Sequence, residues 1–301
     1  PTGKQQLSRL LLLAGIETLG IGKHKTMLPP IERHNIRQLE ELNQRGGRML
    51  TVVDLIEAGT ISPEMAAAVM EALARGASIL TGARPSGAGK TTVLAAFLNL
   101  LPPDVTIVTV DDPGVVGQAL ARPPEHPTCY LVHEIGAGHW YGYLWGQAVS
   151  DYLRLTRGPH RIASCLHADT LEELTHILTS PPLCVDPSDL HRVGILGFMR
   201  MDNTRRGGIV RRLATLEIRS PFLDQACRFV FAHSTNSFSR EPLCAANDHP
   251  STDATPTSNA SGTNINEKAC LVFIEHLLHV DARSFEYVRE EVLAFYKRRP
   301  G

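Results

Sequence analysis

The sequence predicts an α/β fold, a mainly parallel sheet flanked by helices with a C-terminal hairpin and a helical tail. Three observations lead to that class. Short apolar runs alternate with helical stretches from Ile79 to about Arg219. One run, "ASILTG", passes through a glycine-rich turn straight into the amphipathic stretch "KTTVLAAFLNLL". The composition is that of an ordinary globular chain: 301 residues, 43% hydrophobic and 20% charged.

Each element has a local signal. "PPIERHNIRQLEELNQRGG" reads as a helix with Pro at its start, Ile36, Leu39 and Leu42 on one face, and Gly46-Gly47 as its stop. "TVVDLIEAGTISPEMAAAVMEALARGA" holds two short helices, the second opened by Ser62 as N-cap and Pro63 in the first turn. The runs "VTIVTVDD", "CYLVHEI" and "HRIASCLHAD" read as buried strands, with the helix "GQAVSDYLRLT" between the last two. "VGILGFMRMD" and "IVRRLATLEIRS" flank "NTRRGG" as a β-hairpin. Residues 245–266 are rich in Ser, Thr, Asn and Pro and read as a flexible linker. Two amphipathic helical pieces follow, able either to pack on the core or to bind a partner helix. The expected organisation is a reduced N-terminal helical region (1–47), a core domain (48–220), an extension (221–244), the linker (245–266) and the tail (267–301).

The bulk numbers narrow the function classes. A net charge of −1 provides no basic surplus for nucleic acid, and no nucleic-acid partner is expected. The apolar run Leu10–Ile16 is far too short to span a membrane, and no signal-peptide cleavage pattern follows it. Six scattered cysteines contain no C-x-x-C pair, which favours reduced thiols in a cytoplasm.

The turn between Gly82 and Lys90 carries the chemistry. Ser86, Gly87, Ala88, Gly89, Lys90, Thr91 and Thr92 read as a phosphate-binding loop at a helix N-terminus, where backbone N–H groups and the helix dipole favour anions. Lys90 would reach the β- and γ-phosphates of ATP, and Thr91 would ligate Mg2+. Against the pattern G-x-x-x-x-G-K-[ST], the first glycine is replaced by Arg84. Gly82 and Pro85 suggest that the tight turn has shifted, with the Arg84 side chain in solvent or on a phosphate. The alternative is a glycine-rich turn with a surface lysine.

From Leu50 the chain reads "LTVVDLIEAGTISPEMAAAVMEALARGASILTG". In wording and spacing it resembles the secretion and pilus-assembly ATPases of the type II/type IV superfamily, within the subgroup serving tight-adherence and type IV secretion systems. The resemblance runs from about Arg48 to Arg219, just over half the chain. It implies a RecA-like P-loop core that hydrolyses ATP with Mg2+. "TVDDPG" is similar to the family's acidic box, so Asp111 and Asp112 would hold Mg2+ or the attacking water; alternatively they close a strand and cap a turn. "YLVHEIG" resembles the Walker B strand, making Glu134 the residue that polarises water or binds the metal through water, with His133 and Gly136 in place of the usual Gly and Arg. "SCLHADT" matches the histidine box and makes His167 a γ-phosphate sensor, although a lone strand-end histidine is also commonly structural. "LARPPEHP" makes Arg122 the candidate that acts on a neighbouring subunit's nucleotide.

The resemblance further implies a homo-oligomer, a hexamer if the family pattern holds, working on an inner-membrane platform protein from the cytoplasmic face. Two departures stand out: a family helix between Arg122 and the Walker B strand is missing, and the region ahead of the match is short. With Arg84 and Gly136 they favour the alternative, a nucleotide-binding scaffold or regulatory subunit without turnover. A small-molecule kinase lacks any acceptor-pocket signature. In "HEIGAGH", His133 and His139 are six apart rather than four, which argues against a zinc-protease helix. The cluster Trp140, Tyr141, Tyr143 and Trp145 reads as a packed loop, an adenine-stacking surface or an interface. Arg205, Arg206, Arg211 and Arg212 read as a solvated charged turn, with a phosphate contact as the lesser reading.

Overall fold

The computed structural model describes residues 28–43, 46–122, 125–203, 207–243 and 265–298. The apolar N-terminal run, nearly all of the 245–266 linker, Arg205 and Arg206 lie outside these residues.

Three helices lead in: α1 (Pro30–Glu41), α2 (Val52–Glu57) and α3 (Pro63–Ala74). The expected caps are in place. Ser62 accepts from the Met65 N–H at the start of α3, and Thr51 and Asp54 form a reciprocal capping box at α2. Gly46 and Gly47 follow α1 with φ of +71° and +87°, a left-handed backbone that a glycine adopts without strain.

Strand and helix then alternate as β1 (Ile79–Gly82), α4 (Lys90–Leu98), β2 (Thr106–Thr109), α5 (Pro113–Ala121), β3 (Thr128–Ile135), β4 (Tyr143–Leu144), α6 (Gln147–Arg154), β5 (Arg161–Leu166), α7 (Leu171–Thr179), α8 (Pro187–His191) and β6 (Ile195–Asn203). The strands β2, β3, β5, β1 and β6 lie side by side in that order and all parallel. Both faces are covered, so β1 and β5 are buried at every residue, and their apolar runs do not alternate. One strand, β5, separates β1, which leads into the glycine-rich turn, from β3, which carries Glu134. A mainly parallel sheet flanked by helices is the α/β class that the sequence predicts.

The sheet continues beyond the expected hairpin. β6 pairs antiparallel with β7 (Ile209–Ile218), and β8 (Cys227–Ala232) and β9 (Ser237–Pro242) add two further antiparallel strands. Residues 221–244, expected as an unassigned extension, therefore belong in large part to the sheet.

The helices of the tail, α9 (Glu267–His279) and α10 (Phe285–Lys297), pack on the core. α9 lies along α3, a buried helix rich in small Ala side chains, which admit a close approach. α10 carries Arg289, which is 3% exposed and pairs with Glu32 of α1 at 2.6 Å. The same guanidinium donates to the carbonyls of Asn99 (3.3 Å) and Leu101, at the C-terminal end of α4. α4 itself is apolar all round and buried from Val93 to Leu98, as a helix held between a sheet and a second helical layer must be. The helix that starts at Lys90 is thus clamped at its far end.

Candidate nucleotide-binding site

Strand register builds the site. Gly82 of β1 lies opposite Leu166 of β5, and the next N–H, that of Ala83, donates to the Leu166 carbonyl at 3.2 Å. His167 therefore leaves β5 level with the start of the loop. On the other side of β5, Ile135 of β3 also pairs with Leu166, which brings Glu134 to the same end of the sheet. Three residues distant in sequence meet because three parallel strands finish together.

The loop turns on glycines. Gly87 and Gly89 have φ of +78° and +97°, and Gly89 is the N-cap of α4. Arg84 has a negative φ, so this position makes no demand for glycine. The close approach occurs two residues earlier: a Cβ on Gly82 would stand 2.4 Å from the Ala168 carbonyl oxygen and 2.9 Å from Phe198 Cδ1. The tight turn has shifted, as Gly82 and Pro85 suggested. Arg84 faces away from the loop interior. Its N–H donates to Asp169 Oδ1 at 2.7 Å and its guanidinium pairs with Glu173 of α7. The pairing with Glu173 also holds the Arg84 pKa above its ordinary value.

Lys90 is buried, and its Nζ donates to the Ala83 carbonyl at 3.0 Å and lies 3.4 Å from His167 Nδ1. His167 Nδ1 is also 2.8 Å from the Arg84 carbonyl, a bond that requires its proton on Nδ1. His167 Nε2 lies 3.2 Å from Glu134 Oε1. Below the loop, Thr81 Oγ1 meets Cys165 Sγ at 3.0 Å. Burial pushes the Cys165 thiol up to about 12, which keeps it unreactive.

These groups line one cleft of about 660 Å³. Ser86 through Thr92, Glu134 and His167 contribute to its wall, together with Tyr143, Arg48, Asp54, Met199 and Arg211. That size suits a small-molecule ligand. The Thr91 hydroxyl and the Glu134 carboxylate are hard oxygen donors in one cavity, a set that fits Mg2+ held partly through phosphates and water. Asp54 is not available for that task. Burial raises its pKa, but hydrogen bonds from Arg48 and Thr51 outweigh this and hold it below its ordinary value.

Asp111, Asp112 and Arg122 lie elsewhere, whereas His133 is in the cleft wall. Asp112 is the N-cap of α5 and accepts from the Gly114 N–H at 2.6 Å, in line with the turn-capping reading. Asp111 is exposed, Arg122 is exposed at the C-cap of α5, and none of the three lines the cleft. Among the described residues between Arg122 and β3 no helix forms, as the sequence spacing implies. His133 is 2% exposed and packs edge-on against Tyr141. Burial holds its pKa below the usual histidine value, so it is a neutral core residue at pH 7.

Two residues of the site stood in the sequence only as members of clusters. Tyr143 of β4 sits opposite Glu134 in register, and its hydroxyl bonds to that carboxylate. Within "HWYGYLWG" nothing distinguishes it from the exposed Trp140 and Trp145. Arg211 of β7 donates from Nε to the Gly87 carbonyl at 2.8 Å. Its only signal in the sequence was membership of a basic turn.

No protein-family model matches the chain, and no curated protein does. Two solved structures are similar in part. The ATPase DotB of Legionella pneumophila is 16% identical with a TM-score of 0.34, over 56% of this chain and 50% of that one. The VirB11 ATPase of the Brucella suis type IV secretion system, solved in complex with sulphate, is 15% identical with a TM-score of 0.36, over 72% of this chain and 64% of that one. The chain thus spans less than two thirds of the length of either.

Proposed function

We propose that this chain binds Mg-ATP and hydrolyses it as the motor subunit of a secretion or pilus-type assembly machine. The observation that carries the nucleotide reading is the convergence of Lys90, Thr91, Glu134 and His167 on one cleft, with Glu134 and His167 3.2 Å apart. The loop amides and Lys90 hold the β- and γ-phosphates, and the Thr91 hydroxyl holds the metal. When bound, Mg2+ neutralises and orients the phosphates. Glu134, steadied by Tyr143 and His167, orients the attacking water, and His167 reports on the γ-phosphate across its contact with Lys90. Catalysis is then positioning and charge stabilisation, with no covalent step on the protein.

The machine, the homo-oligomer and the platform protein at the membrane's inner face rest on the resemblance of the segment 48–219 to the secretion ATPases. No described helix is long and apolar enough to cross a membrane. One experiment separates the readings. Turnover of ATP abolished by both Lys90→Ala and Glu134→Gln supports the motor. Mg-ATP binding that is lost in Lys90→Ala, without turnover in any form, supports the nucleotide-binding scaffold instead. That second reading is favoured by the location of Asp111 and Asp112 outside the cleft. Arg122 could act only on a neighbour's nucleotide, so a strict monomer with and without Mg-ATP would sink the motor.

A further inference from the structure

We propose that Arg211 is a nucleotide-binding residue that adds a second cation, from the same chain, to the polyphosphate subsite; the proposal rests on the nucleotide reading of the cleft. Alternation along the hairpin explains how it gets there. In the β6–β7 register Met199 lies opposite Leu213 and Met201 opposite Arg211. Leu213 and Met199 are buried in the core shared with α4. Arg211, two residues before Leu213, extends the same face of the sheet past the core and over the loop that opens α4.

Its side chain reaches that loop at two points. Nε donates to the Gly87 carbonyl at 2.8 Å, across 124 residues of sequence. Its Cδ would stand 3.4 Å from a Cβ on Gly89, so the alkyl stem lies against the turn. The guanidinium is thereby held at the mouth of the cleft that Lys90, Thr91 and Glu134 line. One of its five N–H donors is used on Gly87, and the planar fork that remains suits phosphate oxygens.

The neighbouring arginines are otherwise engaged. Arg48 pairs with Asp54 at 2.7 Å, Arg84 with Glu173, and Arg200 with Asp202 at 2.8 Å. Arg212 donates to the Ala58 carbonyl at 3.0 Å and stacks over Phe231 at 5.5 Å. Among the described residues Arg211 has no carboxylate partner. Lys90 is the one cation of residues 86–92, and a triphosphate carries several negative charges. An arginine anchored to the loop but unneutralised by any acid is electrostatically placed to offset the remainder.

Binding of Mg-ATP, ADP and adenosine to the purified full chain, by calorimetry at fixed salt, tests this. In Arg211→Gln, affinity for ATP and ADP is expected to fall about 5- to 20-fold, that for adenosine to stay unchanged, and the nucleotide-free unfolding midpoint to stay in place. Arg211→Lys is expected to recover part of the loss. An equal loss for adenosine and ATP would mean that Arg211 only props the loop, and overturns the proposal. Unaltered ATP affinity in Arg211→Gln, with binding lost in Lys90→Ala, overturns it while sparing the nucleotide reading. Absence of ATP binding by the unmodified chain overturns both. Loss in Arg211→Gln beside undiminished binding in Lys90→Ala supports Arg211 and removes the role given to Lys90.

Discussion

Two substitutions ask which position in the loop needs glycine. Arg84→Gly restores the usual pattern, whereas Gly82→Ala changes a residue just ahead of it. A Cβ at 82 would stand 2.4 Å from the Ala168 carbonyl oxygen, where Cβ atoms essentially never come closer than 3.0 Å. The carbonyl or β1 must therefore retreat by roughly 0.6 Å, and Phe198 of β6, at 2.9 Å, blocks the other side. Overpacking of this kind costs about 1–3 kcal/mol. The functional cost is expected to be larger in proportion. Ala168 follows His167 directly, so the shift moves the imidazole relative to Glu134, now 3.2 Å away. A displacement approaching 1 Å at a catalytic group costs up to about 100-fold in rate. Gly82→Ala is thus expected to lower the urea midpoint and to reduce ATP turnover by about 10- to 100-fold. Arg84→Gly gives up the contacts with Glu173 and improves neither affinity nor turnover. Urea unfolding followed by circular dichroism, and phosphate release under saturating Mg-ATP, read the two effects separately. A Gly82→Ala protein with normal stability and turnover, or an Arg84→Gly protein with markedly higher turnover, would refute the shifted-turn account.

Three further outcomes are expected. Tyr143→Phe removes the hydroxyl on Glu134 and should slow turnover about 3- to 10-fold, as for one hydrogen bond, while Mg-ATP affinity stays the same; equal losses in both would point to a binding role. Arg289→Met leaves Glu32 buried and unpaired and should cost about 3–5 kcal/mol in urea unfolding. The double variant with Glu32→Leu should recover much of that, and a single variant as stable as the parent would show that the clamp on α4 is dispensable. His133 and His160 are held neutral in the fold by burial, so their folded pKa values lie below the unfolded one. The unfolded chain therefore binds more protons as the medium acidifies, and stability present above about pH 6.5 falls progressively below it. Unfolding midpoints at pH 7.5 and 5.5 should show this slope, and His133→Asn should flatten it; a slope unchanged in that variant would count against His133 as a source.

Much of the site was legible because its signals are local. A strand, a glycine-rich turn and a helix start fall within fourteen residues at "ILTGARPSGAGKTT", and their order alone locates the loop amides and Lys90. Glu134 and His167 were singled out only by the resemblance of "YLVHEIG" and "SCLHADT" to boxes of the secretion ATPases. Ser62, Pro63, Gly46 and Gly47 announced helix boundaries through their own backbone preferences. Periodicity, however, reports which face a residue occupies and not which element covers that face. Strand order brought Glu134 to His167 across β5, and the pairing of β3 with β4 brought Tyr143 to Glu134. The hairpin register carried Arg211 to Gly87, and tertiary packing alone decided that α9 and α10 close the core. It also left Asp111, Asp112 and Arg122 outside the cleft, although their place in the chain is close to the site's own strands. The sequence by itself determined the class of fold, the loop and its lysine, because short-range sterics and hydrogen bonding dictate them. The rest of the site depended on contacts between residues up to 124 apart, which exist only once the sheet has chosen its order and register.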